Sequence, residues 1–322
     1  MKSPLIFGLL LMMCGIAQAQ DTSGHTIQFI TVEQGVNLEV LDWGGNGPPL
    51  VFMSGLGGTA HVFDDFVPKF TAKHHVFGIT RRGFGNSSKP PPTRENYGPD
   101  RLGDDVLAVM AALGLVKPVL AGHSIAGQEM SSIGSRYPGK VAGLVYLDAG
   151  YEYAAFDSKF ADGSTRYGVE MEMTTLEEDL RRLPRIPPEQ AREKIKEIQD
   201  ILPRLQKMLA WYAPQDEVAD RAARSELWIY VDAVDSVKRK YGTIPVPILA
   251  IFAEPKECLK DCDSADTKIW AADGTASANA FAAVNPRARV VRLAHSRHAV
   301  WKSNEDEVLR EMNAFMDGLP AH

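Results

Sequence analysis

The feature that most constrains this chain is an apolar stretch that ends on a single serine, at residues 118–127. Its sequence is Pro-Val-Leu-Ala-Gly-His-Ser-Ile-Ala-Gly, so Gly122 and Ala126 lie two residues before and two residues after Ser124. Small residues at these positions let a strand and a helix approach each other across a sharp turn. The pattern therefore predicts a buried strand, a tight turn at Ser124 and a helix directly after it.

The rest of the chain alternates between strand and helix patterns. Short apolar runs of strand length lie at 49–53, 75–79, 141–147, 248–253 and 288–293. The first run leads into the glycine-rich segment 54–58, and apolar residues at helical spacing predict a helix over 100–115. Strands that alternate with helices indicate an α/β domain with a parallel sheet.

The order of these motifs resembles that of the α/β-hydrolases, in particular the capped esterase and epoxide-hydrolase-like branch of the superfamily. The matching pieces are Ser54-Gly55-Leu56-Gly57, Arg82-Gly83-Phe84-Gly85-Asn86-Ser87, the segment from Gly122 to Gly127, and a histidine segment near the C-terminus. The resemblance implies an α/β-hydrolase fold, a mostly parallel sheet flanked by helices, with an inserted helical lid. Residues 20–150 and 244–322 would form the core, and residues 151–243 the lid.

The resemblance also implies a role for Ser124. It would be the nucleophile, and a serine in this place points to acyl transfer, because relatives that form alkyl-enzymes carry an aspartate there. The backbone N–H groups of Leu56 and Ile125 would form the oxyanion hole. Ser54 stands where the family commonly has histidine, but a hole built from backbone groups does not depend on that side chain.

A serine hydroxyl needs a neighbouring base to remove its proton. The segment after the last predicted strand offers two histidines, His295 and His298. The family places its histidine shortly before an apolar or aromatic pair and the final helix, and His298 fits that position better. His295 is the alternative.

The acid that orients the histidine has two candidate positions. After the strand at 248–253 the chain offers Glu254 or Glu257, and Glu257 is the better placed of the two. After the strand at 141–147 it offers Asp148, although an aspartate at such a point often only caps a turn. The sequence favours Glu257 over Asp148 and leaves both open.

The segment between Asp148 and Pro245 is rich in charged residues and leucine and predicts helices at 175–183, 188–210 and 216–237. In the resembled family an insertion at this point covers the site and shapes the substrate pocket. Individual substrate-binding residues cannot be assigned from the sequence. Candidates for the lining are Met171, Met173, Leu209, Trp211, Tyr212, Trp228 and Tyr230.

The N-terminus predicts export. Lys2 is followed by an apolar run from Leu5 to Ile16 and by Ala-Gln-Ala at 17–19, which is typical of a secretory signal peptide over residues 1–19. The apolar run is too short for a stable membrane span, so we expect a periplasmic or secreted protein without an anchor. In an oxidising compartment Cys258 and Cys262 would be able to pair.

Other classes of function find no support in the composition. The 322 residues, 45% of them hydrophobic, suit one large domain with an insertion, and the formal charge is −6. The sequence has no phosphate-binding loop, dinucleotide fingerprint or basic patch with interleaved aromatic residues, so we expect no cofactor and no nucleic-acid partner. The two cysteines lack histidine partners at a spacing that suits a metal, so no metal site is predicted.

These features together predict a serine hydrolase that cleaves a small or medium carboxylic ester through an acyl-enzyme on Ser124. Its partner would be a small ester-like substrate. The same machinery would also serve for an amide, a lactone or a carbon–carbon bond. A further alternative is a binding member of the fold that has lost turnover, against which Ser124 and His298 both argue.

Overall fold

Eight strands form one sheet in a computed structural model, which describes residues 24–151, 154, 176, 179–212, 229–230, 233–234, 241–257 and 265–320. The strands are β1 (Thr26–Glu33), β2 (Val36–Gly44), β3 (Pro49–Met53), β4 (His75–Ile79), β5 (Val119–His123), β6 (Gly143–Leu147), β7 (Ile248–Ala253) and β8 (Arg289–Leu293). Their order across the sheet is β1-β2-β4-β3-β5-β6-β7-β8. The pairs β1/β2 and β2/β4 are antiparallel, and all later pairs are parallel.

Helices cover both faces of the sheet. They are α1 (Arg94–Tyr97), α2 (Pro99–Ala112), α3 (Ala126–Arg136), α4 (Pro188–Tyr212), α5 (Ala265–Val284), α6 (Val300–Ser303) and α7 (Glu305–Asp317). Helices α2, α3 and α5 contribute to one hydrophobic core, whereas α6, α7 and the short 3-10 helices between β3 and β4 contribute to the other. The sheet therefore separates two cores, which confirms the predicted α/β-hydrolase fold.

The parallel strands are short and apolar because both of their faces are buried. Successive side chains of a strand point to opposite faces. In β3, for example, Val51 and Met53 belong to the α2/α3 core, whereas Leu50 and Phe52 belong to the α7 core. Every residue of β6 and β7 is buried.

Parallel strands also bring their carboxyl ends to one edge of the sheet, where ligands bind in folds of this kind. The glycine-rich segment at 54–58 follows β3, Ser124 follows β5, and Asp148 follows β6. His298 lies in the loop between β8 and α6. Strand β5 lies between β3 and β6, so the three loops after these strands are neighbours.

Part of the predicted lid lies within the described residues. The helix expected over 188–210 is present as α4, and residues 179–182 are helical as well. Ala233 and Val234 are buried in the α2/α3 core. Among the residues that the structure describes, no helix has the length and apolar character needed to cross a membrane.

Candidate active site

The backbone at Ser124 has the strained geometry that the sequence pattern predicts. Its φ of 52° lies in the left-handed region, which residues other than glycine rarely adopt. A Cβ at Gly122 would lie 3.0 Å from the Cβ of Ala126, and a Cβ at Gly127 would lie only 2.0 Å from the carbonyl oxygen of Ala149. The methyl group of Ala126 is thus accommodated because residue 122 is a glycine, and residue 127 is a glycine because the main chain at Ala149 lies against it.

Asp148 and His298 form a direct hydrogen bond although 150 positions separate them in the chain. Nδ1 of His298 lies 2.6 Å from Oδ2 of Asp148, and the other oxygen, Oδ1, accepts a hydrogen bond from the backbone N–H of Ala253 at 3.0 Å. Asp148 is fully buried at a φ of 46°, a conformation that aspartate tolerates better than most residues. The proton on Nδ1 leaves Nε2 of His298 as a basic nitrogen.

Lys256 supplies a positive charge beside this pair. Its Nζ lies 3.7 Å from Oδ2 of Asp148 and 5.0 Å from the centre of the Tyr151 ring, and its side chain is only 7% exposed. Burial by itself would raise the pKa of Asp148, but the hydrogen bond from His298 and the charge of Lys256 outweigh burial and hold that pKa below its ordinary value. Asp148 is therefore ionised at neutral pH.

The two glutamates that follow β7 form ion pairs with arginines and not with His298. Nε of Arg297 donates to Oε2 of Glu257 at 2.5 Å, and Glu254 pairs with Arg292. The structure thus brings Asp148, and not Glu257, to His298, which reverses the order of preference drawn from the sequence. His295 is exposed, and its backbone N–H donates to the carbonyl of Pro255.

His123 connects the serine turn to the histidine loop. Its Nε2 donates to the carbonyl oxygen of His298 at 3.1 Å, and its ring lies 4.4 Å from the ring of His298 and 4.6 Å from that of Trp301. Burial, followed by the neighbouring His298, lowers the pKa of His123 to about 3. This neutral ring holds the main chain that carries His298 in place.

The segment after β3 packs directly on the serine turn. A Cβ at Gly55 would lie 2.7 Å from Nδ1 of His123 and 3.2 Å from the Cβ of Ser124, so only glycine fits there. The hydroxyl of Ser54 donates to the carbonyl of Gly58 at 2.9 Å and closes the segment on itself. Ser54 thus has a structural role in the loop that carries Leu56.

A buried ion pair that the sequence analysis did not predict holds the loop after β3 in place. Arg81 pairs with Glu129 of α3, and both side chains are almost fully buried. The guanidinium of Arg81 also donates to the carbonyls of Ser54 at 3.0 Å and Gly55 at 3.3 Å. Arg81 stands directly before the Arg82-Gly83 motif, but nothing in the sequence identifies Glu129 as its partner.

Several predicted features lie outside the described residues. They include the segment 1–19, Cys258 and Cys262, and Met171, Met173 and Trp228 of the lid; for Leu209, Trp211 and Tyr212 only the helical backbone is described. Of the candidates for the pocket lining, Tyr230 is described in full. Its ring lies 5.7 Å from that of Tyr97.

Comparison with known proteins agrees with the fold. The model of a family described as alpha/beta hydrolase fold matches residues 48–185. A fluoroacetate dehalogenase from a Burkholderia species is 29% identical over 116 residues, which are 35% of this chain and 38% of the dehalogenase. A bifunctional esterase/perhydrolase from Acinetobacter calcoaceticus is 32% identical over 126 residues, 38% of this chain and 44% of that protein. Each match thus spans less than half of the relative.

The likeness to solved structures extends over most of the chain. The crystal structure of E-2-(acetamidomethylene)succinate hydrolase superposes with a TM-score of 0.56 and covers 91% of this chain and 100% of that one, at 17% identity. Identity at this level shows a shared fold. The strand order, the strained turn after β5 and the family match over residues 48–185 all agree with an α/β-hydrolase fold.

Proposed function

We propose that the protein is a serine hydrolase that cleaves small or medium carboxylic esters through an acyl-enzyme on Ser124. The observation that carries the proposal is the hydrogen bond between Asp148 and His298, at the same edge of the sheet as the strained turn of Ser124. A buried carboxylate that fixes one nitrogen of a histidine leaves the other as a base for a nearby nucleophile. The relative named as an esterase/perhydrolase adds support for an ester substrate.

The proposed reaction has two steps. In the first, Nε2 of His298 takes the proton of the Ser124 hydroxyl as Oγ attacks the ester carbonyl, and then gives it to the departing alcohol. In the second, Nε2 of His298 takes a proton from a water molecule that attacks the acyl carbon, and it gives this proton to Oγ of Ser124 as the acyl–oxygen bond breaks and the acid is released. Asp148 holds the imidazole in the correct tautomer and stabilises the imidazolium that forms in each step.

The negative oxygen of both tetrahedral intermediates would be bound by backbone N–H groups of Leu56 and Ile125. Ile125 follows the nucleophile directly, and Leu56 lies in the loop that Gly55 packs onto Ser124. Donors aimed at this oxygen contribute about 3–4 kcal/mol of transition-state stabilisation each. The pair of Arg81 with Glu129 fixes the loop before the substrate arrives.

Two further parts of the proposal concern the chain as a whole. We propose that the protein acts in the periplasm or outside the cell, on the basis of the pattern at residues 1–19. We also propose that residues 151–243 form a lid over the site, on the basis of helix α4 and of Ala233 and Val234, which pack into the core.

A panel of p-nitrophenyl esters with acyl chains of two to sixteen carbons tests the proposal, with Ser124→Ala as the matched control. The proposal predicts turnover of short or medium chains by the wild type and none above background by Ser124→Ala. Equal rates for the two proteins, or no ester turnover by a folded wild-type protein, would contradict it. Weak ester turnover combined with faster cleavage of amides or lactones would correct the substrate class and leave the mechanism in place.

A further inference from the structure

A second cluster of functional side chains lies at the antiparallel side of the sheet, apart from the proposed triad. It consists of His25, His61 and Asp64, each of which offers one ligand atom within 4.8 Å of the others. Nδ1 of His25 lies 3.1 Å from Oδ1 of Asp64, and Nδ1 of His61 lies 3.3 Å from Oδ2 of the same carboxylate. We propose that these three residues bind a divalent transition-metal ion of the zinc type.

Local structure brings the three residues together from two distant parts of the chain. His61 lies in the 3-10 helix Ala60–Phe63, and the backbone N–H of Asp64 donates to the carbonyl of His61. Residues three apart eclipse each other in a 3-10 helix, so the two side chains share one face. His25 directly precedes β1, and its ring packs at 5.4 Å against that of Trp43 in β2.

The donor set and its spacing suit zinc. Two imidazoles and one carboxylate, with water as a fourth ligand, form a common zinc site, in which neighbouring ligand atoms lie about 3.4 Å apart around the ion. The separations from the two histidine Nδ1 atoms to the Asp64 carboxylate, 3.1 Å to Oδ1 and 3.3 Å to Oδ2, are close to this value. Oxygen-only cations such as Mg²⁺ and Ca²⁺ do not prefer a site with two imidazole nitrogens.

A buried carboxylate provides independent support on the far side of His61. Glu39 of β2 has a fully buried side chain, and its Oε1 lies 3.7 Å from Nε2 of His61. The same carboxylate accepts hydrogen bonds from Thr80 at 2.8 Å and Asn86 at 2.5 Å, which fix its position. This separation is longer than a hydrogen bond, so Glu39 acts through its negative charge, which makes the imidazole of His61 a stronger ligand for a cation.

The exposure of the three side chains is compatible with entry of an ion from solvent. The side chain of His25 is fully buried, whereas those of His61 and Asp64 are 32% and 26% exposed. A bound ion would connect the start of the edge strand β1 to the 3-10 helix that follows the glycine-rich segment 54–58. We therefore expect its effect on the stability of the folded chain rather than on the chemical step.

Zinc titration of the full-length mature chain tests the proposal. The protein is stripped of metal with a chelator and titrated with zinc chloride in a calorimeter. After gel filtration, the zinc that remains bound is measured by elemental mass spectrometry. We expect one zinc ion per chain and a rise in Tm on zinc addition. Both should be lost in His61→Asn and Asp64→Asn, and zinc affinity should fall by roughly 10- to 100-fold in Glu39→Gln.

His75→Asn is the matched control. Nε2 of His75 lies 2.8 Å from Oδ1 of Asp42, so this histidine is also paired with an aspartate. Among the described residues, however, this pair does not belong to a group of three possible metal ligands. Its zinc binding should equal that of the wild type. The absence of zinc binding by the wild type would overturn the proposal, as would unchanged binding by a folded His61→Asn protein, which would place the metal elsewhere in the chain. Circular dichroism of each variant in chelator verifies that it folds.

Discussion

At the scale of single residues, Asp148 combines two functions in one carboxylate. Oδ1 accepts the backbone N–H of Ala253 and so holds the ends of β6 and β7 together, while Oδ2 accepts Nδ1–H of His298. The hydrogen bond from β7 to Oδ1 fixes the whole carboxylate, including Oδ2. The sheet therefore sets the orientation of the His298 imidazole. A carboxylate at Glu257 would have to be positioned by a partly exposed loop, where it pairs with Arg297 instead.

Asp148→Asn and Glu257→Gln therefore separate the two candidate acids. We expect Asp148→Asn to lower kcat by about 10⁴-fold, as an amide in place of the triad acid disturbs the tautomer of the histidine. Glu257→Gln should leave kcat within about threefold of the wild type, since it removes an exposed ion pair. Steady-state kinetics on the best ester of the panel measures both. A larger loss in Glu257→Gln than in Asp148→Asn would return the acid role to Glu257.

Sequence patterns pointed to Ser124 and His298 as candidates because each lies at a fixed distance from a strand end and from small or apolar neighbours. They offered Asp148 only as the second choice for the acid beside His298, since the directions of the loops after two adjacent strands decide between an aspartate and a glutamate there. The cluster of His25 and His61 was also missed. A histidine before an edge strand and another in a short 3-10 helix carry no spacing signature that joins them.

At the scale of secondary structure elements, the loop after β3 depends on a buried ion pair between β4 and α3. Arg81 follows β4, Glu129 lies in α3, and the carbonyls of the loop complete the hydrogen bonds of the guanidinium. Removing one member of a buried pair leaves the other charge without compensation. The position of the loop after β3 is thus coupled to the packing of α3.

Glu129→Ala measures this coupling. We expect the free energy of unfolding, obtained from urea denaturation, to fall by about 3–5 kcal/mol. The control is Lys73→Ala, which removes an exposed pair with Asp317 whose atoms lie 3.1 Å apart and should cost less than about 1 kcal/mol. Similar losses in the two variants would show that Arg81 and Glu129 do not support the loop as described.

Sequence patterns predicted the parallel strands and helix α2 with small errors at the ends, because these strands are continuous apolar runs, and they also predicted a helix directly after Ser124. Helix α5 was not predicted. The antiparallel strands β1 and β2 were not predicted. In β1 the apolar side chains of Ile27 and Phe29 are 43% and 54% exposed, so its pattern does not mark the buried face. An edge strand with one neighbour has fewer buried positions to constrain its sequence.

At the scale of the whole molecule, the buried charges of the site link its stability to pH. Asp148 has a pKa below its ordinary value in the folded protein, partly because of Lys256. Such a group contributes stability that is fully present above its unfolded pKa, about 3.9, and is lost as the pH falls through the lower folded pKa. The ionised pair therefore stabilises the fold at neutral pH and ceases to do so in acid.

Lys256→Met removes the cation and so should raise the folded pKa of Asp148. We expect this variant to be less stable at neutral pH and to unfold at a higher pH than the wild type when acid is added, as followed by circular dichroism. Lys140→Met, at an exposed lysine, serves as the control and should unfold with the wild type. Acid unfolding curves of Lys256→Met and wild type that superimpose would show that Lys256 does not influence Asp148.

Covalent labelling tests whether Ser124 is an activated nucleophile. The mature protein and Ser124→Ala are treated with a fluorophosphonate, which phosphonylates activated serines, and their intact masses are measured. We expect one adduct on the wild-type protein and none on Ser124→Ala. A folded wild-type protein that gains no adduct, or a Ser124→Ala protein that gains the same adduct, would contradict this expectation.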